Sequence, residues 1–371
     1  MIRFSKPLLY KSIGLLVAVG LVFVSCKKDS TLQQSTPPLF YSDYSALCVF
    51  DSNVISGSVY MQGTATISSG VSGWNGKTWS LLGSGFNGYI NSFCKLNGNL
   101  IAGTGNVESN NYIGEWNGSS WQTLGGALND EVNALILYKG TLYAGGYFFT
   151  IGNVLESFVV SWNGSSWQSL PGLIKRDAYQ FQTCNAFALY NGNLIVAGRF
   201  DSAGGKVCNN IAQWNGTTWT SLDSGVVGSI NALCIYNGNL IAGGSFYMKG
   251  NDSISGIAQW NGSSWQRIGN IGFYGAAYVN AFQIYKGNLI IGSFGVSGTH
   301  CLSQWDGTNW TIPFGSFYNG MAPGQPIQST VSANGLTVYN GNLIVSGSGF
   351  NFSGYTGDYI AQWNGSSWSA M

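Results

Sequence analysis

The sequence predicts an all-β fold from three observations. Charged residues make up only 8% of the 371-residue chain, while aromatic residues reach 15%. Glycine occurs 54 times, in the abundance that many tight turns require. Short runs rich in Val, Ile, Leu and Tyr recur between Asn-Gly pairs, and such residues suit a pleated, half-buried surface. With 45% hydrophobic residues the composition is that of a folded protein. A net charge of +1 provides no basic surface to neutralise phosphates, so no nucleic-acid partner is expected.

Residues 1–25 read as a targeting segment. Arg3, Lys6 and Lys11 form a positive n-region before an apolar run, SIGLLVAVGLVFVS, whose 14 residues fall short of the roughly 20 that a spanning helix needs. The junction FVSCKKDS resembles a bacterial lipoprotein signal. That resemblance implies cleavage before Cys26 and acylation of its thiol and new N-terminus. It implies a lipid anchor in the bacterial cell envelope, with the outer membrane as the expected location and the chain facing either the periplasm or the surface. The alternative is an ordinary secretory signal and an incidental cysteine. Residues 26–40, CKKDSTLQQSTPPLF, then read as a polar tether.

One repeat fills residues 41–371. Its first half, as in NALCIYNGNLIAGG, starts near 45, 91, 133, 185, 231, 280 and 334. Its second half, as in IAQWNGSSWQRIG, has its leading tryptophan at Trp74, Trp116, Trp162, Trp214, Trp260, Trp305 and Trp363. The halves alternate strictly, giving seven units spaced 42 to 54 residues apart. In the first half an Asn-Gly pair joins two strand-like runs, and it tolerates the positive φ angles of a type I′ turn. In the second half Asn-Gly-Ser-Ser joins two more, with glycine at the first central position suiting a type II′ turn, and this register sets Trp260 opposite Trp265. Four antiparallel strands per unit at this period predict a seven-bladed β-propeller. A parallel solenoid is disfavoured, because its coils are shorter and have no use for two hairpins per repeat.

LYNGNLIVAG (189–198) and IAQWNGTTW (211–219) resemble the kelch-type propeller repeat, a strand running into a glycine pair and a later hairpin closed by tryptophan. The pair stands whole at Gly145–Gly146 and Gly243–Gly244. The resemblance covers about nine-tenths of the chain and implies seven blades in a closed ring.

All 14 tryptophans lie in the repeated WNGSSW-like phrase, two per unit. Indole can stack on sugars, but a residue needed once in every unit is expected to pack units together. The NGSS sequons are read as turn chemistry. Function is therefore expected where the repeats differ. Calling the four strands A to D, the A–B and C–D turns emerge on one face, and the variable B–C and D–A connections on the other. The variable face is rich in aromatic residues, namely Tyr179, Phe181, Tyr247, Phe273, Tyr274, Tyr278, Phe317, Tyr318 and Tyr355. These are either hydrophobic plugs or a ligand surface. Lys175, Arg176, Asp177, Arg199, Asp201 and Lys206 form a charge cluster on the same face. Arg176 and Arg199 could hold an anionic ligand in fork geometry, or the six could be a surface ion-pair network.

Enzymatic signals are sparse. His300 is the only histidine, so the two-histidine copper site of galactose-oxidase-type propellers is excluded. A sialidase needs three arginines at the channel, whereas the mature chain has Arg176, Arg199 and Arg267, with Arg267 on an outer strand. Asp177 and Asp201 could form a carboxylate pair for glycoside hydrolysis, although nothing specifies it. No calcium-loop pattern appears, and neither metal nor cofactor is expected. Cys48, Cys94 and Cys234 share one position of strand A and read as small hydrophobes, and Cys301 has no evident partner. Cys184 and Cys208 end on the variable face, where a disulfide is an option. The expectation is a monomeric, lipid-anchored binding or scaffold module for a glycan or protein. A polysaccharide-active enzyme and a purely structural envelope protein are the alternatives.

Overall fold

The computed structural model describes residues 39–40, 46–62, 65–84, 86, 88–105, 112–125, 128–148, 150–151, 154–155, 157–172, 182–248, 251–269, 278–295, 301–314, 331–348, 351–352, 355–356 and 360–371. All are strand, turn or extended chain. Each sequence repeat forms an antiparallel sheet in the order A-B-C-D. In unit four, strand A is Thr183–Tyr190, B is Asn193–Arg199, C is Ile211–Trp214 and D is Trp219–Ser221. The A strands of the other units are Leu47–Phe50, Tyr89–Leu96, Val132–Tyr138, Val226–Tyr236, Val279–Tyr285 and Val331–Tyr339. The B–C connections of units three, four and seven carry small antiparallel strand pairs of their own, Thr150–Ile151 with Val154–Leu155, Ser202–Ala203 with Lys206–Val207, and Asn351–Phe352 with Tyr355–Thr356.

The turns follow the sequence. All seven A–B turns hold positive φ at both central residues, from Asp51 (46°) and Ser52 (63°) to Asn340 (48°) and Gly341 (78°), as a type I′ turn requires. In the C–D turns the glycine has φ between 97° and 108°, and the asparagine side chain closes the loop. Asn261 Oδ1 accepts the amides of Ser263 (2.9 Å) and Ser264 (3.0 Å). Asp306 does the same for Thr308 and Asn309, and those hydrogen bonds lower its carboxyl pKa.

The seven tryptophan pairs face each other across their C–D hairpins with ring centroids 4.9–5.6 Å apart. In six of the seven pairs the second indole also reaches into the preceding unit. Trp121, Trp167, Trp219, Trp265, Trp310 and Trp368 donate Nε1–H to the carbonyls of Leu82, Leu124, Pro171, Leu222, Ile268 and Phe314, at 2.8–3.1 Å. The core is divided accordingly. Among the described residues it forms seven clusters, each at the junction of two consecutive units. The seventh joins the last unit to the first, packing Ile344 and Ile360 against Val54, with Tyr339, Met371, Trp74 and Trp79 around them. The A strands likewise touch one another in succession, and the last touches the first.

Strand A carries a β-bulge in six units, and the extra residue each time is the asparagine that opens the repeat: Asn91, Asn133, Asn185, Asn231, Asn280 and Asn334. The bulge explains the glycine pair. A Cβ on Gly244 would come 2.2 Å from the Ser229 carbonyl oxygen of the bulged strand, and one on Gly243 would come 2.5 Å from Val279 of the next unit.

Two departures follow from the backbone ladder. Leu39–Phe40 pairs with Tyr60 and Met61 on the strand B edge that strand A of unit one also uses. The tether read as residues 26–40 therefore gives up its last two residues to the sheet, where their backbone groups find partners. In units six and seven, Phe294 and Gly295 of strand B pair with Ser332 and Val331, merging two sheets into one of eight strands.

Candidate functional site

The A–B and C–D turns share one end of the units. Lys139 Nζ, in an A–B turn, donates to Asn215 O in the C–D turn of unit four at 2.9 Å. Tyr138 Oη donates to Gly192 O in the next A–B turn at 3.3 Å, and Tyr339 Oη donates to Ser52 O at 3.0 Å between the last and first units. This end is a fastening. The D–A and B–C connections meet at the other end, where Gly204 N donates to Gly172 O at 2.8 Å.

On that second end the structure brings three of the charged candidates together. Arg199 closes strand B opposite Thr183, Asp201 follows it, and Lys206 lies in the small hairpin beyond. All three are exposed. The ion-pair network expected as one option is not formed among them, since the one ion pair among the described residues is Lys95–Asp51 at 3.2 Å. Lys175, Arg176 and Asp177 lie outside the described residues, as do Cys26, Tyr179, Phe181, Phe273, Tyr274, His300, Phe317 and Tyr318. Tyr247 and Tyr278 are exposed, at 45% and 51%.

The disulfide option fails. Cys184 and Cys208 are both free and fully buried. The Cys184 sulfur lies over Gly145 of unit three, filling the space that a side chain there would occupy. Burial raises its thiol pKa, and burial with the Asp201 carboxylate pushes that of Cys208 up to about 12. Such thiols are packing groups. Cys48, Cys94 and Cys234 are half-buried against three of the core clusters. Among the described residues no group of three or more His, Cys, Asp or Glu is placed to hold a metal ion.

Sequence reading passed over a second set of groups at this end. The bulge asparagines hydrogen-bond from unit to unit. Asn91 Nδ2 donates to Asn133 Oδ1 (3.1 Å), Asn133 Nδ2 to Thr183 Oγ1 (3.2 Å) and Asn280 Nδ2 to Asn334 Oδ1 (2.9 Å). Immediately before Asn133 stand Asp130 and Glu131. Asp130 Oδ1 accepts the Glu131 amide at 2.8 Å, and Tyr147 N donates to Glu131 O at 2.9 Å. Burial raises the pKa of the Tyr112 and Tyr147 hydroxyls, with Asp130 and Glu131 adding to it, so both phenols lie within the field of both carboxylates. The available signal was a pair of acids in a chain with few, placed before one inner strand.

No family model matches the sequence, and no curated protein matches it. Among solved structures the chain is similar to a computationally designed protein, Ika8, at 13% identity and TM-score 0.48, over 89% of this chain and 97% of that one. It is also similar to the extracellular domain of a putative one-component system from B. thetaiotaomicron, at 11% identity and TM-score 0.53, covering 84% of this chain and 37% of that one. The chain thus spans well under half the length of that second structure, and the likeness is one of fold.

Proposed function

We propose that the protein is a seven-bladed β-propeller of kelch-like repeats, held in the cell envelope by lipid on Cys26, that binds a ligand at the B–C and D–A end and performs no chemical step. Ring closure is supported by the seventh core cluster, which joins last unit to first as the other six join neighbours. The observation that carries the binding reading is the contrast between the ends. One end is two sets of seven closely similar turns fastened to each other, with little freedom to vary. The other presents non-repeating connections with Arg199, Asp201, Lys206, Tyr247 and Tyr278 exposed. Rigid scaffolds place recognition on such connections.

The detergent-solubilised full chain, screened against glycans and envelope proteins, should yield a ligand. Its affinity should fall tenfold or more in variants of the B–C and D–A end, with Arg199→Ala and Lys206→Ala as the first pair, and stay constant in Asn237→Ala at the fastened end. Loss of binding in Asn237→Ala alone, in a folded protein, would overturn the assignment. Attachment is read separately: Cys26→Ala should move the protein from the membrane to the soluble fraction. A variant that stays with the membrane would remove the lipid from the proposal.

A further inference from the structure

We infer that the ligand is a saccharide, seated where the inner strands of units two to four open onto the variable end, with Glu131, Asp130 and Gln182 accepting its hydroxyls and Tyr89 stacking on a ring. The inference rests on the binding reading above and narrows it to one arc and one chemistry.

The geometry begins at Gly105. It pairs with Tyr89 across the A–B ladder of unit two. A Cβ there would come 2.9 Å from Asn91 Nδ2 and 3.1 Å from Glu131 Cδ, so the bare glycine lets an amide and a carboxyl group from two units meet above it. Tyr89 stands beside this meeting point and is 37% exposed. Tyr112 and Tyr147 bring phenol groups under the influence of the same two carboxylates.

A second and independent observation lies one unit on. Gln182 stands three residues before Asn185, the place that Asp130 holds before Asn133. It is only 6% exposed, and its Oε1 is buried without a hydrogen-bond partner among the described residues. A buried amide oxygen left without a donor is costly, and the group that removes the cost is an incoming donor. The Asn133 to Thr183 hydrogen bond ties this position to the acidic one. The arc therefore offers acceptors from two carboxylates and one amide, phenols that both donate and accept, and an apolar ring face. Saccharides match that set, having many hydroxyl donors on one edge and C–H surfaces on their faces. A small polycation would satisfy the carboxylates but gives the exposed phenol face and the neutral amide no distinct role.

The test is calorimetric titration of the full chain with cellohexaose, xylohexaose and mannohexaose, with spermine as the cationic probe. At least one hexasaccharide should bind and spermine should not. Glu131→Gln and Tyr89→Ala should each weaken the saccharide tenfold or more at an unchanged thermal midpoint. Asp130→Asn serves as the second acidic variant should Glu131→Gln fold poorly. Binding of spermine alone, or of no hexasaccharide, overturns the inference. If a hexasaccharide binds, is indifferent to these changes and is lost in Arg199→Ala with Lys206→Ala, this site falls while the binding reading stands. If it is lost only in Asn237→Ala, both fall.

Discussion

Trp265 joins two units by two mechanisms. It faces Trp260 at 5.4 Å within its own sheet, and its Nε1–H reaches the Leu222 carbonyl of the unit before. Both indoles are buried in the cluster between units four and five. Trp265→Ala should therefore cost roughly 3–5 kcal/mol, as truncation of a large core aromatic does. Trp265→Phe keeps much of the packing but leaves the carbonyl unpaired, so a loss of about 1–3 kcal/mol is expected. Denaturant unfolding measures both. Ligand affinity of the folded variants should be unchanged, and lost affinity at full stability would make the phrase a binding motif after all.

At the scale of the element, most of the fold was legible. Asn-Gly marked four of the seven A–B turns outright, the repeat period placed the Asp51-Ser52, Lys139-Gly140 and Lys286-Gly287 turns, and tryptophan spacing located all seven C–D hairpins, because these turns depend on backbone rules that act over four residues. The bulge was not legible. The asparagine and glycine pair that mark it are about a dozen residues apart in sequence, and only pairing places Gly244 across from Ile230 and the bulged Asn231. The site was read less well for the same reason. Arg199, Asp201 and Lys206 were placed on the right connection, since strand direction alone decides that. Glu131 and Gln182, on which the proposed saccharide site rests, carry no signal within their own unit, because they are tied to a neighbouring unit through the space above Gly105 and the Asn133 to Thr183 bond. The Cys184–Cys208 bridge, only an option in the sequence, is not formed for a similar reason. The Cys184 sulfur is occupied by contact with unit three, which no spacing within unit four reveals.

For the whole molecule, the junction between the last and first units has a consequence in polymer statistics. The indole bonds between consecutive units connect residues 39 to 54 positions apart, while Tyr339 and Ser52 are 287 apart. That contour is about six times longer, and at about 0.6 kcal/mol per doubling it adds about 1.6 kcal/mol of closure entropy to this one joint. No strand crosses it as a counterweight, because strands A to D of unit seven all come from residues 331–370. The seven junctions are thus six short-range steps and one long one, and the long one should form last and open first. Amide exchange should be faster in Leu47–Phe50 and Asn342–Ser348 than in the matching strands of unit four, and equal protection would mean that the ends are held by more than the contacts described. Thermal breathing would then open the assembly at one fixed point, the joint between unit seven and unit one.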